Sequence, residues 1–302
     1  MIARFQVILI AQLAFVGAVP GPLEKAIRPL ADAHRGKIAV AVKNLATGEH
    51  FEIDADEALQ TASLIKLAVL VEAYRQADAK AVDLDGKVTL TKEDRVPGSG
   101  ILTHHFSDGA TFPLRDAVRL MIAFSDNTAT NLVLDAVGIA RVNAAMAKLG
   151  LPETRINAKV FKGSTTSVDP ERTKKYSLGS TTAGETVKLL ELIHTGKAAS
   201  AEACREMLGH LGADGDRGML HRYLPAGTVV AHKTGSTDRV RTAAGIIEVP
   251  DPKGGKKKIP VAVCVLTNGN TDERWVLDNS AQVTIAKIAK AVYDHYAADG
   301  GK

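Results

Sequence analysis

Ser63 and Lys66 stand three residues apart in the stretch Thr61-Ala62-Ser63-Leu64-Ile65-Lys66-Leu67-Ala68-Val69-Leu70-Val71. Leu64, Ile65, Leu67, Val69, Leu70 and Val71 leave no polar face, so the stretch reads as a helix buried in the core of a large domain. A lysine in such a place is unfavourable unless paired, and desolvation lowers its pKa towards the neutral amine. Residues three apart share a helix face. The hydroxyl of Ser63 is thus expected beside a base-capable amine, near a helix start where backbone N–H groups point outward. That arrangement describes an activated nucleophile with an oxyanion donor at hand.

A serine with a lysine three residues on arises by chance in many chains, and two further stretches decide its meaning. Phe124-Ser125-Asp126-Asn127-Thr128 falls at the joint between two helical runs. Alone it reads as a helix N-cap. His232-Lys233-Thr234-Gly235-Ser236 ends a strand that enters a turn. Alone it reads as a β-turn with an exposed lysine.

The elements that must bring these stretches together can be read in order. Residues 23–34 form an amphipathic helix, residues 37–43 a strand, and the turn Ala46-Thr47-Gly48 leads to a second strand at residues 50–53. Helical patterns follow over residues 112–124, 128–137, 142–149, 182–192 and 201–211. Between them residues 159–180 form a long polar loop, and loops of that length in compact domains are usually functional. Strands at residues 229–233, 243–249 and 261–267 precede a closing helix over residues 276–296. Short links between strands imply antiparallel pairing. The expected fold is α/β (α+β): one antiparallel five-stranded sheet built from both ends of the chain, with flanking helices and an inserted all-helical subdomain. The α/β part covers residues 22–60 and 213–302, and the helical part residues 61–212.

In this order the three stretches resemble the S-x-x-K, S-D-N and K-T-G motifs of the class A serine β-lactamases and related penicillin-recognising serine enzymes. The resemblance extends to Val88-Thr89-Leu90-Thr91-Lys92-Glu93-Asp94, Val96-Pro97-Gly98-Ser99, Leu224-Pro225-Ala226-Gly227, Gly245-Ile246-Ile247 and Asp272-Glu273-Arg274. It implies a β-lactamase/transpeptidase-like fold and a hydrolase acting on cyclic amides. Ser63 would be acylated, Lys66 would help remove its proton, and Ser125 would relay a proton to the departing nitrogen with Lys233 tuning its field. Asn127 would hold Lys66 and the substrate amide. Thr234, Gly235 and Ser236 would contact substrate, and the N–H groups of Ser63 and Ser236 would form the oxyanion hole. The resemblance implies no cofactor and no metal. Two alternatives stay open: a D-alanyl-D-alanine carboxypeptidase or esterase of the same fold, and a non-hydrolysing module that binds β-lactams as a sensor.

Three departures from the family pattern matter. Where many class A members have an arginine before the Gly-Ile-Ile strand, this chain has Ala244; Arg241 is the first substitute for binding the substrate carboxylate and Arg239 the second. Cys204 and Cys264 do not match the pair that some members bridge; two buried free thiols are expected, with a single disulfide the alternative in an exported protein. The loop over residues 159–180 lacks a Glu-x-x-Leu-Asn motif. Asp169 and Glu171 are its nearest carboxylates, Asp169 one methylene short and Glu171 out of register, with Thr173 in the place of the asparagine.

Composition narrows the rest. Aromatic residues are 4% of the chain and do not interleave with Lys or Arg, and the net charge of +4 is spread out, so no nucleic-acid surface is expected. Arg4, the apolar run over residues 5–16 and the small residues Val16-Gly17-Ala18 read as a signal peptide over residues 1–18, giving an exported, periplasmic or secreted protein. The run is short for a membrane span, so no stable span is expected after processing. The partner expected is a small-molecule β-lactam, bound by a monomer. His104 and His105 are adjacent and diverge, which argues against a metal role, and His232 should point away from the face that carries Lys233.

Overall fold

The computed structural model describes residues 21–254 and 257–298. The proposed signal segment lies outside these residues. Five antiparallel strands form one sheet in the spatial order His50–Ile53, Lys37–Asn44, Lys258–Asn268, Val240–Pro250, Val230–Thr237. Two strands come from the start of the chain and three from its end, so the sheet closes the polypeptide on itself, as the sequence pattern implies.

Strand side chains alternate between faces. Val40, Val42, Ile247, Val263 and Val265 turn to one face and pack on Ile27 of the first helix, Pro22–Asp32, and on Ile285 and Ile288 of the closing helix, Ser280–Ala297. The neighbours Ala39, Ala41, Ala262 and Cys264 face the other way, into the core shared with the helical block. Small residues on that face let the helix Ala183–His194 lie close to the sheet. The helix Lys66–Asp78 runs through the middle of the block, with Leu67, Val69, Leu70 and Val71 all buried. Helices Leu114–Ala123, Asn127–Val137, Ile139–Lys148 and Ala201–Gly212 complete the block. Cys204 and Cys264 are both buried and free.

The structure corrects several local expectations. The Ser63 segment is not α-helical: Ala62–Ile65 is a 3-10 turn, and the α-helix begins at Lys66. Helix Leu114–Ala123 starts late because Thr111–Pro113 pairs with Lys87–Thr89. The closing helix starts at Ser280, where the Asn279 side chain accepts from Ala281 N and Gln282 N. Within residues 159–180 lie two short helices, Gly163–Thr166 and Pro170–Tyr176. Among the described residues no helix is long and apolar enough to cross a membrane.

Candidate active site

The 3-10 turn sharpens the logic of the Ser63–Lys66 spacing, because side chains at i and i+3 eclipse in that geometry. Ala62, immediately before Ser63, has φ of +46°, a left-handed conformation that a residue with a Cβ seldom adopts. Beside the turn runs the edge strand Val230–Thr237. Gly235 is the point of closest approach: a Cβ there would lie 2.4 Å from Thr61 O and 2.8 Å from Leu64 N. Thr242 Oγ1 donates to Thr61 O at 2.8 Å and fixes the same contact from the next strand. The glycine of the third motif is therefore required so that the strand can lie against the backbone of the nucleophile turn.

Lys66 has no solvent exposure. Its Nζ donates to Ser125 O at 2.6 Å, to Ser125 Oγ at 3.2 Å and to Asn127 Oδ1 at 2.9 Å. Burial and the neighbouring Lys233 push its pKa well below the usual lysine value, against an upward pull from Asp126 and Asp214. Ser125 sits at φ +50°, and this left-handed turn presents both its carbonyl and its hydroxyl to the amine. Asp126 locks the turn. Its Oδ1 accepts from Ala129 N at 2.8 Å, and its Oδ2 accepts from Ile101 N at 2.7 Å and Leu102 N at 2.9 Å. The N-cap reading of the second motif thus holds for Asp126, while Ser125 and Asn127 are left for chemistry. Asn127 Nδ2 donates to Pro97 O at 3.0 Å, so one side chain ties Lys66 to the segment that carries Ser99.

Lys233 is equally buried. Its Nζ donates to Asp214 Oδ2 at 3.4 Å and Thr234 O at 3.1 Å, and burial lowers its pKa against the pull of Asp214. Thr234 Oγ1 donates to Asp216 Oδ2 at 2.8 Å. His232 turns away from these groups, as the strand period requires: its Nε2 lies 3.0 Å from Asp216 O and its ring meets His221 edge-on.

Ser63 opens onto a cleft with two lobes that share Ser63, Ser99, Ser236 and Trp275. The first, about 330 Å³, is lined by Ala158, Val160, Phe161, Thr173 and Leu178, among others. The second, about 470 Å³, brings together Phe124, Ser125, Lys233, Thr234, Asp214 and Asp216. Trp275 is 64% exposed and its indole Nε1 donates to Asp238 Oδ1 at 2.8 Å.

Arg241 is placed differently from the expectation. It is fully buried, its guanidinium stacks 4.8 Å from the Trp275 ring centroid, and it donates to the carbonyls of Thr237, Val240 and Arg274. It lies in the wall behind the cleft and lines neither lobe. Arg239 is exposed and pairs with Glu273 at 3.3 Å. The loop carboxylates are also away from the lining. Asp169 caps the helix Pro170–Tyr176 by accepting from Arg172 N at 3.0 Å, and Glu171 is exposed. Thr173 does line the first lobe, with its hydroxyl donating to Asp169 O at 2.9 Å. The carboxylates that line the cleft are Asp214 and Asp216, which the sequence reading did not single out. Their one signal was the closely spaced pair in Ala213-Asp214-Gly215-Asp216, ahead of the Lys233 strand. No cluster of metal-ligating side chains occurs among the described residues.

Comparison with known proteins agrees with this geometry. A family model described as the beta-lactamase enzyme family matches residues 22–296. The β-lactamase from Sphaerobacter thermophilus DSM 20745 is 28% identical over 90% of this chain and 97% of its own, with a TM-score of 0.77. A double mutant of the last common ancestor of Gram-negative bacteria class A β-lactamase is 25% identical over 89% of this chain and 97% of its own, with a TM-score of 0.75. A point mutant of PBP-A, solved as an acyl-enzyme complex with penicillin G, shares the fold at 21% identity and a TM-score of 0.75, over 91% of this chain and 96% of its own. The family match begins in the first helix and ends in the last one, so it takes in every element that positions the cleft; this chain belongs to the β-lactamase enzyme family.

Proposed function

We propose that the protein opens β-lactam rings through an acyl-enzyme on Ser63, and that this acyl-enzyme forms faster than it is hydrolysed. The observation that carries the reading is the buried amine of Lys66, held by Ser125 and Asn127 one 3-10 turn from a cleft-lining serine. Ser63 Oγ adds to the lactam carbonyl carbon, and its proton passes to the neutral Lys66 amine. The N–H groups of Ser63 and Ser236 receive the developing oxyanion. The C–N bond then breaks, and the proton reaches the departing nitrogen through Ser125, with Lys233 beside it. The ring-opened acyl group stays on Ser63 until water releases it as a carboxylic acid.

Slow release is supported by the chemistry of the first lobe. Its lining offers the hydroxyls of Thr173 and Ser177 and no carboxylate. A missing general base lowers the rate of a proton-transfer step by about 10²–10⁴-fold. The same observation favours the reading of a β-lactam-binding module with weak turnover over that of a fast hydrolase. Mixing with nitrocefin tests the proposal: a burst of about one product per enzyme followed by a weak steady rate is expected. Release of D-alanine from a stem peptide at a higher rate would instead favour the peptidase reading. The proposal includes export with cleavage after Ala18, checked by N-terminal sequencing of material outside the cytoplasm; Met1 or Ile2 at the start of functional protein would refute it.

A further inference from the structure

The second lobe holds one lysine against two carboxylates. Lys233 already donates to Asp214 and to Thr234 O. Asp216 accepts from Thr234 Oγ1 through Oδ2 and from Gly218 N at 2.7 Å through Oδ1. The hydroxyl proton that would greet an anionic substrate group is therefore turned to a carboxylate of the protein. The arginines of the surrounding segments are engaged otherwise: Arg241 under Trp275, Arg239 with Glu273, Arg274 with Asp272, and Arg217 with the Asp214 carbonyl and the His221 ring. Like charges a few ångströms apart repel strongly where one wall of the site is low in dielectric.

We infer that Asp216 is a specificity determinant that disfavours a carboxylate next to Thr234, so that the cleft selects lactams and related acyl donors carrying a neutral group at that position. The inference rests on the proposed acylation of Ser63 and adds the charge of the substrate to it. Asp216 fits this role better than Asp214, because Asp214 is buried and paired with Lys233, whereas Asp216 is partly open to the lobe and governs the Thr234 hydroxyl. In Asp216→Asn the amide keeps an oxygen for Gly218 N and turns its NH2 to Thr234 Oγ1. The threonine proton is then free to meet substrate.

The test compares benzylpenicillin with its neutral methyl ester, following acylation of Ser63 by intact mass and stopped flow. The readout is the ratio of the acylation rate constants, carboxylate over ester. The wild-type ratio is expected below one, and it should rise at least about tenfold in Asp216→Asn, the change that about 1.4 kcal/mol represents. Salt provides a second readout on the unaltered protein. Raising ionic strength from about 0.01 M to 1 M shortens the screening length from about 30 Å to 3 Å, and should raise the rate for the carboxylate relative to the ester. A wild-type ratio above one that neither the substitution nor salt moves would overturn the inference and leave the acylation reading standing. Failure of both compounds to acylate Ser63 would overturn the acylation reading, and this inference with it.

Discussion

Lys66 Nζ lies 2.6 Å from the main-chain oxygen of Ser125, and among the described residues Ser63 Oγ is not one of its partners. The base is thus held by the second motif rather than by the serine it serves. Its position is independent of the rotamer of Ser63, which stays free to enter the cleft. Truncation should separate the roles: Ser63→Ala should abolish any covalent adduct, whereas Lys66→Ala should slow acylation by about 10²–10⁴-fold. Rapid-mixing kinetics on the two variants would check this, and an adduct on Ser63→Ala would contradict it.

The depressed pKa of Lys66 has a sign that can be measured in two ways. A neutral amine is the base, so acylation should rise with pH through the lowered value. The charge of Lys233 is the second cause of that lowering, after burial. Lys233→Gln should therefore move the rising limb to higher pH, besides lowering the rate. A limb that stays in place or moves to lower pH would show that the two lysines do not share a field.

Stability follows by linkage. Between the folded value of Lys66 and the ordinary 10.5, the unfolded chain binds more protons than the folded one, so stability rises with pH across that window. Below the window the full desolvation penalty is present. Wild type should therefore gain stability as pH rises through that window towards 10.5, and Lys66→Met, which has no titrating amine, should lack that gain. Denaturant unfolding of both proteins at several pH values checks the trend.

Gly235 and Asp126 test the framework. A Cβ at Gly235 meets backbone atoms of the nucleophile turn, so the strand must move away. Gly235→Ala is expected to lower acylation by about 10²-fold or more through misplacement, with about 1–3 kcal/mol lost in stability. Asp126→Ala strands the N–H groups of Ile101, Leu102 and Ala129. A loss of roughly 2–4 kcal/mol is expected, read from the midpoint of chemical unfolding.

The loop carboxylates give a negative prediction. Asp169 serves as a helix cap and Glu171 faces solvent. Asp169→Ala and Glu171→Ala should release the acyl group at the wild-type rate. A longer-lived adduct in either variant would identify a base that reaches the cleft after acylation.

Much of this was legible in the sequence because it rests on local rules. The alternation in Ala39-Val40-Ala41-Val42 announces a strand buried on both faces, and the unbroken apolar run after Ser63 announces a central helix. The motif residues Ser63, Ser125, Asn127, Lys233 and Ser236 line one cleft, with Lys66 buried behind them; the sequence pattern ends the edge strand at Lys233, whereas the strand runs on through the third motif to Thr237. What stayed hidden depends on non-local contacts. Arg241 alternates correctly for the strand, and only the position of Trp275 and the carbonyl of Arg274, more than thirty residues on, show that its guanidinium is covered. The 3-10 turn at Ser63 lies against Gly235 of a strand far along the chain, a contact that no propensity encodes. Asp214 and Asp216 matter because the chain returns them to Lys233 and Thr234.

The most direct test of the account is a time course of intact mass after mixing the protein with benzylpenicillin and, in parallel, with its methyl ester. The account predicts that the full mass of the compound is added to Ser63, that the adduct accumulates before product does, and that it decays slowly over many enzyme-equivalents of remaining substrate. Steady turnover at hundreds per second, a high but ordinary enzyme rate, with no accumulated adduct would contradict slow deacylation, and the absence of any adduct or product with either compound would contradict the assignment of Ser63.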